Sequence, residues 1–538
     1  MEEIYRAEIT DMNENGMGIT RIAPLSHGKG TARADGCIVF VSGAVTGDIC
    51  DIRITEQKKN YAIGEIVTLI KPAPTRCDSD CSAYSKCGGC TLRHVTFDAE
   101  NQCKRQTVAN AFRRTGLREV PVRETLHTIP EHYRNKAILH CGYTNRGREF
   151  GYFSEKTNTP VGGIPCPLLP DSFNAIALFI NDALPSLGGI EFESLYLRCT
   201  AKGELSVVFH VCDSASAKRL KESGFILTLT ERFPDIRGIL TNVGKEFSSP
   251  GVLYGERELI DELAGLKFIV SPEGFWQVNH AAAELLVEKV LEYAGGIDFD
   301  TCIDLYCGSG TFGLILSSVL DRKEAKYYGV ELNPHSIADA KRNAALNGME
   351  NITFFCGDAA DFRKKIDAEG GLVIIDPPRA GCSPQMLRNL VALSPTDIIY
   401  VSCSPNTLSR DCSKLTEAGY TIIEATPVNM FPRTRHVETV CLLSKLNAKQ
   451  HIEINLDMDE LDLTDAEKKA TYQEIKDYVL EHSGLKVSSL YIAQVKQKCG
   501  IIERENYNKP KSEDTKQPQC PPEKEKAIVE ALKHFGMI

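Results

Sequence analysis

The residue whose type and setting could do chemistry is Cys403. It follows the apolar run Asp397–Val401 and opens a polar turn with Ser402, Ser404, Pro405 and Asn406. A thiolate is a strong nucleophile, and a strand end exposes it enough to be used. Most lone cysteines after strands are packing residues; the polar flanks set this one apart. Upstream, DLYCGSGTFG (Asp304 to Gly313) carries another apolar run into a glycine-rich loop. Gly308, Gly310 and Gly313 satisfy the spacing G-x-G-x-x-G, which lets backbone approach a ligand but occurs in many turns. A thiol and a cofactor loop at strand ends of one α/β unit point to covalent catalysis coupled to group transfer.

The company of the loop favours a nucleoside cofactor. A second strand ends in Glu331, where an acid can bind ribose hydroxyls. A third leads into Cys356-Gly357-Asp358, which can meet an adenine amino group, and a fourth runs into DPPR, Asp376 to Arg379. The spacing alone does not separate a nicotinamide from S-adenosylmethionine, although a nucleophilic thiol suits a methyl donor better than a hydride carrier. FPRTRHVE, Phe431 to Glu438, supplies His436 and Glu438 just before a last strand, and either could move a proton.

These residues need a scaffold. From about residue 270 strands and helices alternate, as in a doubly wound parallel sheet. Residues 1–72 hold short β-rich runs with glycine turns, as in a small barrel of the oligonucleotide-binding type. Residues 73–270 form an α+β insert with a cysteine-rich start, 271–447 the α/β domain, and 448–538 a helical appendage behind the acidic run Asp457–Glu467. With 538 residues the chain is too long for one core. No run of about 18 apolar residues is present, so a membrane span is not expected. The first residues, MEEIYR, lack the basic and apolar segments of a signal peptide, so a cytoplasmic location is expected. A net charge of −10 gives no support to a wholly basic nucleic-acid binder, though phosphate contacts need only a local patch.

Twenty cysteines are many, and most lie singly in apolar runs. One group does not. Cys81, Cys87 and Cys90 stand at x5 and x2 spacing, with Cys77 nearby and Cys166 in a proline-flanked loop as a possible fourth ligand. Four thiolates suit zinc or a [4Fe–4S] cluster. The C-x3-C-x2-C of radical chemistry is absent, since the gap after Cys81 is five residues.

DLYCGSGTFG, DPPRAG, VSCSP and FPxTxHxE, with FWQVN (Phe275 to Asn279), resemble the motifs of the RNA 5-methyluridine (uracil-C5) methyltransferase family, in order over roughly residues 1–445. The N-terminal barrel resembles the TRAM domain, and CxxxxxCGGC the family's iron–sulfur motif. The 23S ribosomal RNA type resembles this chain most, because the transfer-RNA branch often lacks barrel and cysteines. The resemblance implies a Rossmann-like class I methyltransferase fold, with S-adenosylmethionine and a [4Fe–4S] cluster on Cys81, Cys87, Cys90 and Cys166. It implies Cys403 as the nucleophile at uracil carbon 6 and Glu438 as the base that removes the carbon 5 proton. Gln277, Tyr306, Glu331 and Asp376 would contact the cofactor or the uracil edge, beside Gly308 and Asp358 of the cofactor loops. The family's Ser-Cys-Asn-Pro is Ser-Cys-Ser-Pro here, with Ser404 in the third place.

Lys104, Arg105, Arg113, Arg114, Arg118, Arg123, Arg134 and Lys136 are expected to track RNA phosphates. Alternatives are a transfer-RNA enzyme, a non-catalytic RNA-binding protein on the same fold, and a methyltransferase for a small molecule or protein. The tail after residue 448 lies outside the resemblance.

Overall fold

The computed structural model describes residues 4–22 and 36–445, apart from 85, 145–146, 155–156, 158, 162–163, 245–246, 248–249, 321, 323 and 367–370. It also describes 472–499, less 484, 486 and 488, and 521–535. The chain forms two compact units, Met1–Gln450 and His451–Ile538.

In the first unit, strands between Ile4 and Lys71 form one six-stranded sheet. Its alternating residues Val39, Val41, Cys50 and Ile52 point to one small core, as the period of two requires. Asp48 is buried and accepts from the backbone of Val45 (2.8 Å) and Ala73 (2.9 Å), pinning the sheet to the segment that follows.

Helix α1 (Phe97–Arg114) opens with Asp98 and Glu100 and ends with Arg113 and Arg114, matching its dipole. Gly116, at φ +87, follows its end. Although α1 falls within residues 73–270, the stretch expected to form the insert, its Val108 and Phe112 pack with Ile303, Leu408 and Cys441 in the core of the C-terminal α/β domain. It is therefore a strut of that domain. The insert is a second six-stranded sheet (Lys136 to Gly255), with the helix Asp171–Ala183 contributing to its core.

The C-terminal sheet has seven strands: β1 (Thr301–Leu305), β2 (Lys326–Glu331), β3 (Ile352–Cys356), β4 (Leu372–Ile375), β5 (Asp397–Ser402), β6 (Tyr420–Val428) and β7 (Glu438–Lys445). Their order is β3-β2-β1-β4-β5-β7-β6, so the order reverses between β1 and β4. Ligands bind beyond the strand ends at such a point. Strands β1 to β5 are parallel, and all of β4 is buried, as expected of a strand covered on both faces. The sheet departs from the expected all-parallel form in one strand. β7 runs antiparallel to both β5 and β6. The physical reason is the short connection, residues 429–437, which cannot span the crossover a parallel pair needs.

The second unit is described by three helices, Tyr472–Ser483, Ser489–Lys498 and Pro522–His534, around Ile475, Val479, Ile492, Val495 and Ile528. The acidic run 457–467 and residues 508–520 of the polar stretch lie outside the described residues. No helix among the described residues is long and apolar enough to cross a membrane.

Candidate active site

The antiparallel turn of β7 brings the thiol and the acid together. Its ladder with β5 ends on the pair Ser402–Thr439. Cys403 directly follows Ser402 and Glu438 directly precedes Thr439, and the charge of Glu438 acts on the Cys403 thiol. Cys403 is half-buried and Glu438 only 7% exposed.

Burial pushes the Cys403 thiol up from its ordinary value, and the negative charges of Glu438 and Asp376 push it further; Arg379 opposes them. Burial, then Asp376, raises Glu438 to about 8, again against Arg379. Burial raises Asp376 to about 7. A carboxyl poised near neutrality can both accept and hold a proton, which is what a base in a water-poor site needs. His436 is pushed the other way, to about 4, by burial and then by Arg379, whose Nη2 lies 3.4 Å from its Nδ1. It is neutral at ordinary pH.

Cys403 opens onto a cleft of about 170 Å³ with Arg379, Asn406, Arg435 and His436 in its walls. One wall comes from the N-terminal domain. The Glu14 carboxylate accepts from Arg114 (3.0 Å) and from the Asn406 amide (3.1 Å), and Arg435 donates to Asn15 (3.0 Å). Nothing local in the Asp11–Gly18 segment signals this role; it comes from domain packing. Ser404, the departure from the family motif, precedes helix α2 (Pro405–Glu417), and its backbone N–H donates to the Ser402 hydroxyl (3.1 Å).

A second cavity, about 90 Å³, lies at the switch between β1 and β4 and is lined by Gln277, Tyr306, Gly308, Phe312, Asp339 and Asp376 among others. Four of the six expected cofactor residues thus share one cavity. Glu331 and Asp358 stand outside its lining. Glu331 accepts from the backbone of Gly308 (3.4 Å) and Asn333 (2.8 Å), so it braces the loop. Asp358 accepts from the backbone of Ala360 (2.8 Å) at the start of a short helical turn.

The three glycines have different work. A Cβ on Gly310, at φ +84, would come within 2.8 Å of the Phe354 ring, and one on Gly313 within 2.9 Å of Ile352. Gly308, at φ +54, faces open space. Packing fixes the first two, while Gly308 leaves room for a ligand. Asp304 escaped the sequence reading as a site residue. It is buried, receives the Gly313 N–H (2.9 Å), and is raised to about 7 by burial and by nearby Asp376 and Glu331. Asp376 belongs to both places, since it lines the second cavity and acts on the thiol and on Glu438.

Cys81, Cys87, Cys90 and Cys166 line a third cavity, about 40 Å³, with Arg93, Arg134 and Tyr152. Each of Cys87, Cys90 and Cys166 feels others of the four, whose negative charge raises its pKa after burial has done so. Cys77 does not line the cavity and donates to the Arg93 carbonyl (3.7 Å). Among the described residues, no three His, Cys, Asp or Glu side chains are grouped to hold a metal ion.

The basic stretch needs correction. Lys104, expected at an RNA surface, is 2% exposed and paired with Glu100 inside the protein. It lies on the inward face of α1, where the i,i+4 partner and the loop after β6 meet it. Arg123 is paired with Glu424, and half-buried Lys136, over the Tyr196 ring, is lowered to about 8 by burial, then by Arg198 and Arg134. Arg105, Arg113 and Arg118 line an open cleft of about 490 Å³.

Comparison with known proteins supplies the family. Residues 262–446 match the model described as tRNA (Uracil-5-)-methyltransferase, and residues 3–67 match the TRAM domain. An uncharacterized RNA methyltransferase of Bacillus cereus is 34% identical over 78% of this chain and 95% of its own length. One from Halalkalibacterium halodurans is 32% identical over 81% and 98%. The chain belongs to the RNA uracil-C5 methyltransferase family. The fold agrees with the crystal structure of Pyrococcus abyssi tRNA (uracil-54, C5)-methyltransferase in complex with S-adenosyl-L-homocysteine (TM-score 0.62, 24% identity, 82% of this chain and 100% of that one). This methyltransferase therefore has the class I α/β fold with an N-terminal TRAM domain. Cys403, Glu438, Gln277 and Asp376 all lie within the matched methyltransferase span, whereas the four clustered cysteines lie outside both matched spans.

Proposed function

We propose that the enzyme methylates carbon 5 of a uridine in 23S ribosomal RNA, using S-adenosylmethionine, through a covalent bond between Cys403 and carbon 6. The observation that carries this reading is that the thiol and a buried acid raised to about 8 sit at the same end of the β5–β7 ladder, where the acid's charge acts on the thiol. Carbon 5 of uracil is too weak a nucleophile by itself. Addition of the Cys403 thiolate to carbon 6 makes carbon 5 part of an enolate. S-adenosylmethionine supplies the methyl group. Glu438 then takes the carbon 5 proton, the carbon 5–carbon 6 double bond re-forms, and the bond to sulfur breaks. Arg379 favours the ionised forms of both Cys403 and Glu438. Gln277, Tyr306, Gly308 and Asp376 hold the cofactor, with Glu331 bracing Gly308 and Asp358 the next loop. The uridine leaves its stack to enter the Cys403 cleft. The Arg105, Arg113 and Arg118 cleft supplies phosphate contacts, and a substrate among cellular RNAs implies work in the cytoplasm.

Cys81, Cys87, Cys90 and Cys166 fit a [4Fe–4S] cluster. Four thiols around one cavity are the ligand set that such a cluster takes. It would tie the Cys81–Cys90 loop to the insert. Transfer RNA is the second reading, favoured by the names of the matching family model and of the Pyrococcus abyssi enzyme.

The test uses 5-fluorouridine-substituted ribosomal and transfer RNA with S-adenosylmethionine. Fluorine is not removed as a proton, so a stable adduct on Cys403, absent in Cys403→Ala, is expected with ribosomal RNA. Binding without an adduct would support the non-catalytic reading, and an adduct with transfer RNA alone would replace the substrate.

A further inference from the structure

We infer that Glu100 and Lys104 are positioning residues for Glu438: a buried ion pair on α1 that fixes the loop 429–437 and thereby sets where the base stands. This rests on the reading of Glu438 given above.

The pair is enclosed, with side chains 0% and 2% exposed and 3.0 Å between Nζ and Oε1. An ammonium has three donors, and here three acceptors surround it: Glu100, the Asn429 amide oxygen and the Phe431 carbonyl (3.0 Å). Glu100 in turn accepts from the Asn429 amide (3.0 Å) and from the backbone N–H of Arg433 (2.9 Å). Arg433 stands at φ +66, a conformation that a residue with a Cβ adopts only when its surroundings impose it. Both of its backbone groups are held. Its N–H goes to Glu100, and its carbonyl accepts from Thr91 and Leu92 (3.0 Å each), the residues directly after Cys90.

From the clasp a hydrogen-bond run leads to the site. The Phe431 carbonyl that receives Lys104 also receives the N–H (3.2 Å) and hydroxyl (2.8 Å) of Thr434. The Thr434 hydroxyl oxygen accepts from the His436 N–H (3.3 Å), two residues before Glu438. At the other end of the loop, Val428 pairs with Glu438 across β6 and β7. Asn429, next to Val428, is gripped by both members of the ion pair.

A buried ion pair adds little net stability over apolar residues of similar size, because desolvation offsets the attraction. Its distinctive contribution is direction: apolar side chains could fill the space but could not aim the Phe431 carbonyl or hold Arg433 in its turn. The pair lies outside the matched methyltransferase span, on a helix that also packs into the core of that domain.

The experiment separates formation of the Cys403 adduct from its resolution, using unsubstituted RNA in single-turnover reactions. Lys104→Met and the neutral pair Glu100→Gln/Lys104→Met are compared with Glu438→Gln and wild type. Adduct formation is expected to stay within about twofold, while resolution slows about tenfold or more, the scale of a small misplacement of a reacting group. Should Lys104→Met alone unfold by stranding Glu100, the double variant, with neither charge buried, carries the test. Resolution at the wild-type rate, or equal losses in formation and resolution, would overturn the inference. If Glu438→Gln itself resolves the adduct normally, the base assignment fails; if only the α1 variants do, this inference alone fails.

Discussion

The buried carboxyl of Glu438 predicts how turnover responds to pH. Its value of about 8 in the folded protein leaves about a tenth of it ionised at pH 7 and about nine-tenths at pH 9. Adduct resolution limited by this base should therefore rise about tenfold between those pH values. Glu438→Gln should abolish that rise and let the Cys403-linked RNA accumulate. The same shift acts on stability. Below about 4.5 the carboxyl is protonated in both states and contributes no difference. As pH climbs towards about 8 the unfolded chain ionises first, so the folded state loses stability over that window. Glu438→Gln should thus be more stable than wild type, by a margin that grows from pH 5 to pH 8 and then levels. The assays are quenched single-turnover reactions resolved on denaturing gels, and thermal unfolding across the same range. A resolution rate indifferent to pH, or a stability difference indifferent to pH, would refute the reasoning.

Arg379→Gln removes the cation that favours both ionised groups, so the pH–rate profile should move to higher pH; an unmoved profile would dismiss it from this role. Gly310→Ala adds a Cβ 2.8 Å from Phe354 at a positive φ and should lower stability by about 1–3 kcal/mol, read by denaturant unfolding. Serine at Cys87 or Cys90 should strip iron and visible absorbance from anaerobically purified protein, whereas Cys77→Ser should retain both. Replacing Arg105, Arg113 and Arg118 with glutamine should weaken RNA binding and flatten its salt dependence; an unchanged slope would remove that cleft from the RNA surface.

What could be read from the chain without coordinates was whatever depends on near neighbours in sequence. The alternation of strands and helices from about residue 270 is local, because apolar runs and glycine turns follow from backbone sterics and burial periodicity. So are the polar turn that sets Cys403 apart from packing cysteines and the glycine loop. What the tertiary structure decided depends on residues far apart along the chain. Nothing near Glu438 says that its strand runs against β5, yet that direction puts it at the same end of the ladder as Cys403. Lys104 resembled its basic neighbours until packing turned it inward to Glu100 and a loop more than three hundred residues later. Glu14 became a wall of the thiol cleft only through the docking of the TRAM domain. Periodicity reports which face of an element is buried, but not what it is buried against. The pKa values that make this site chemical come from that second fact, since burial and the charges of Asp376 and Arg379 act through space and not along the backbone.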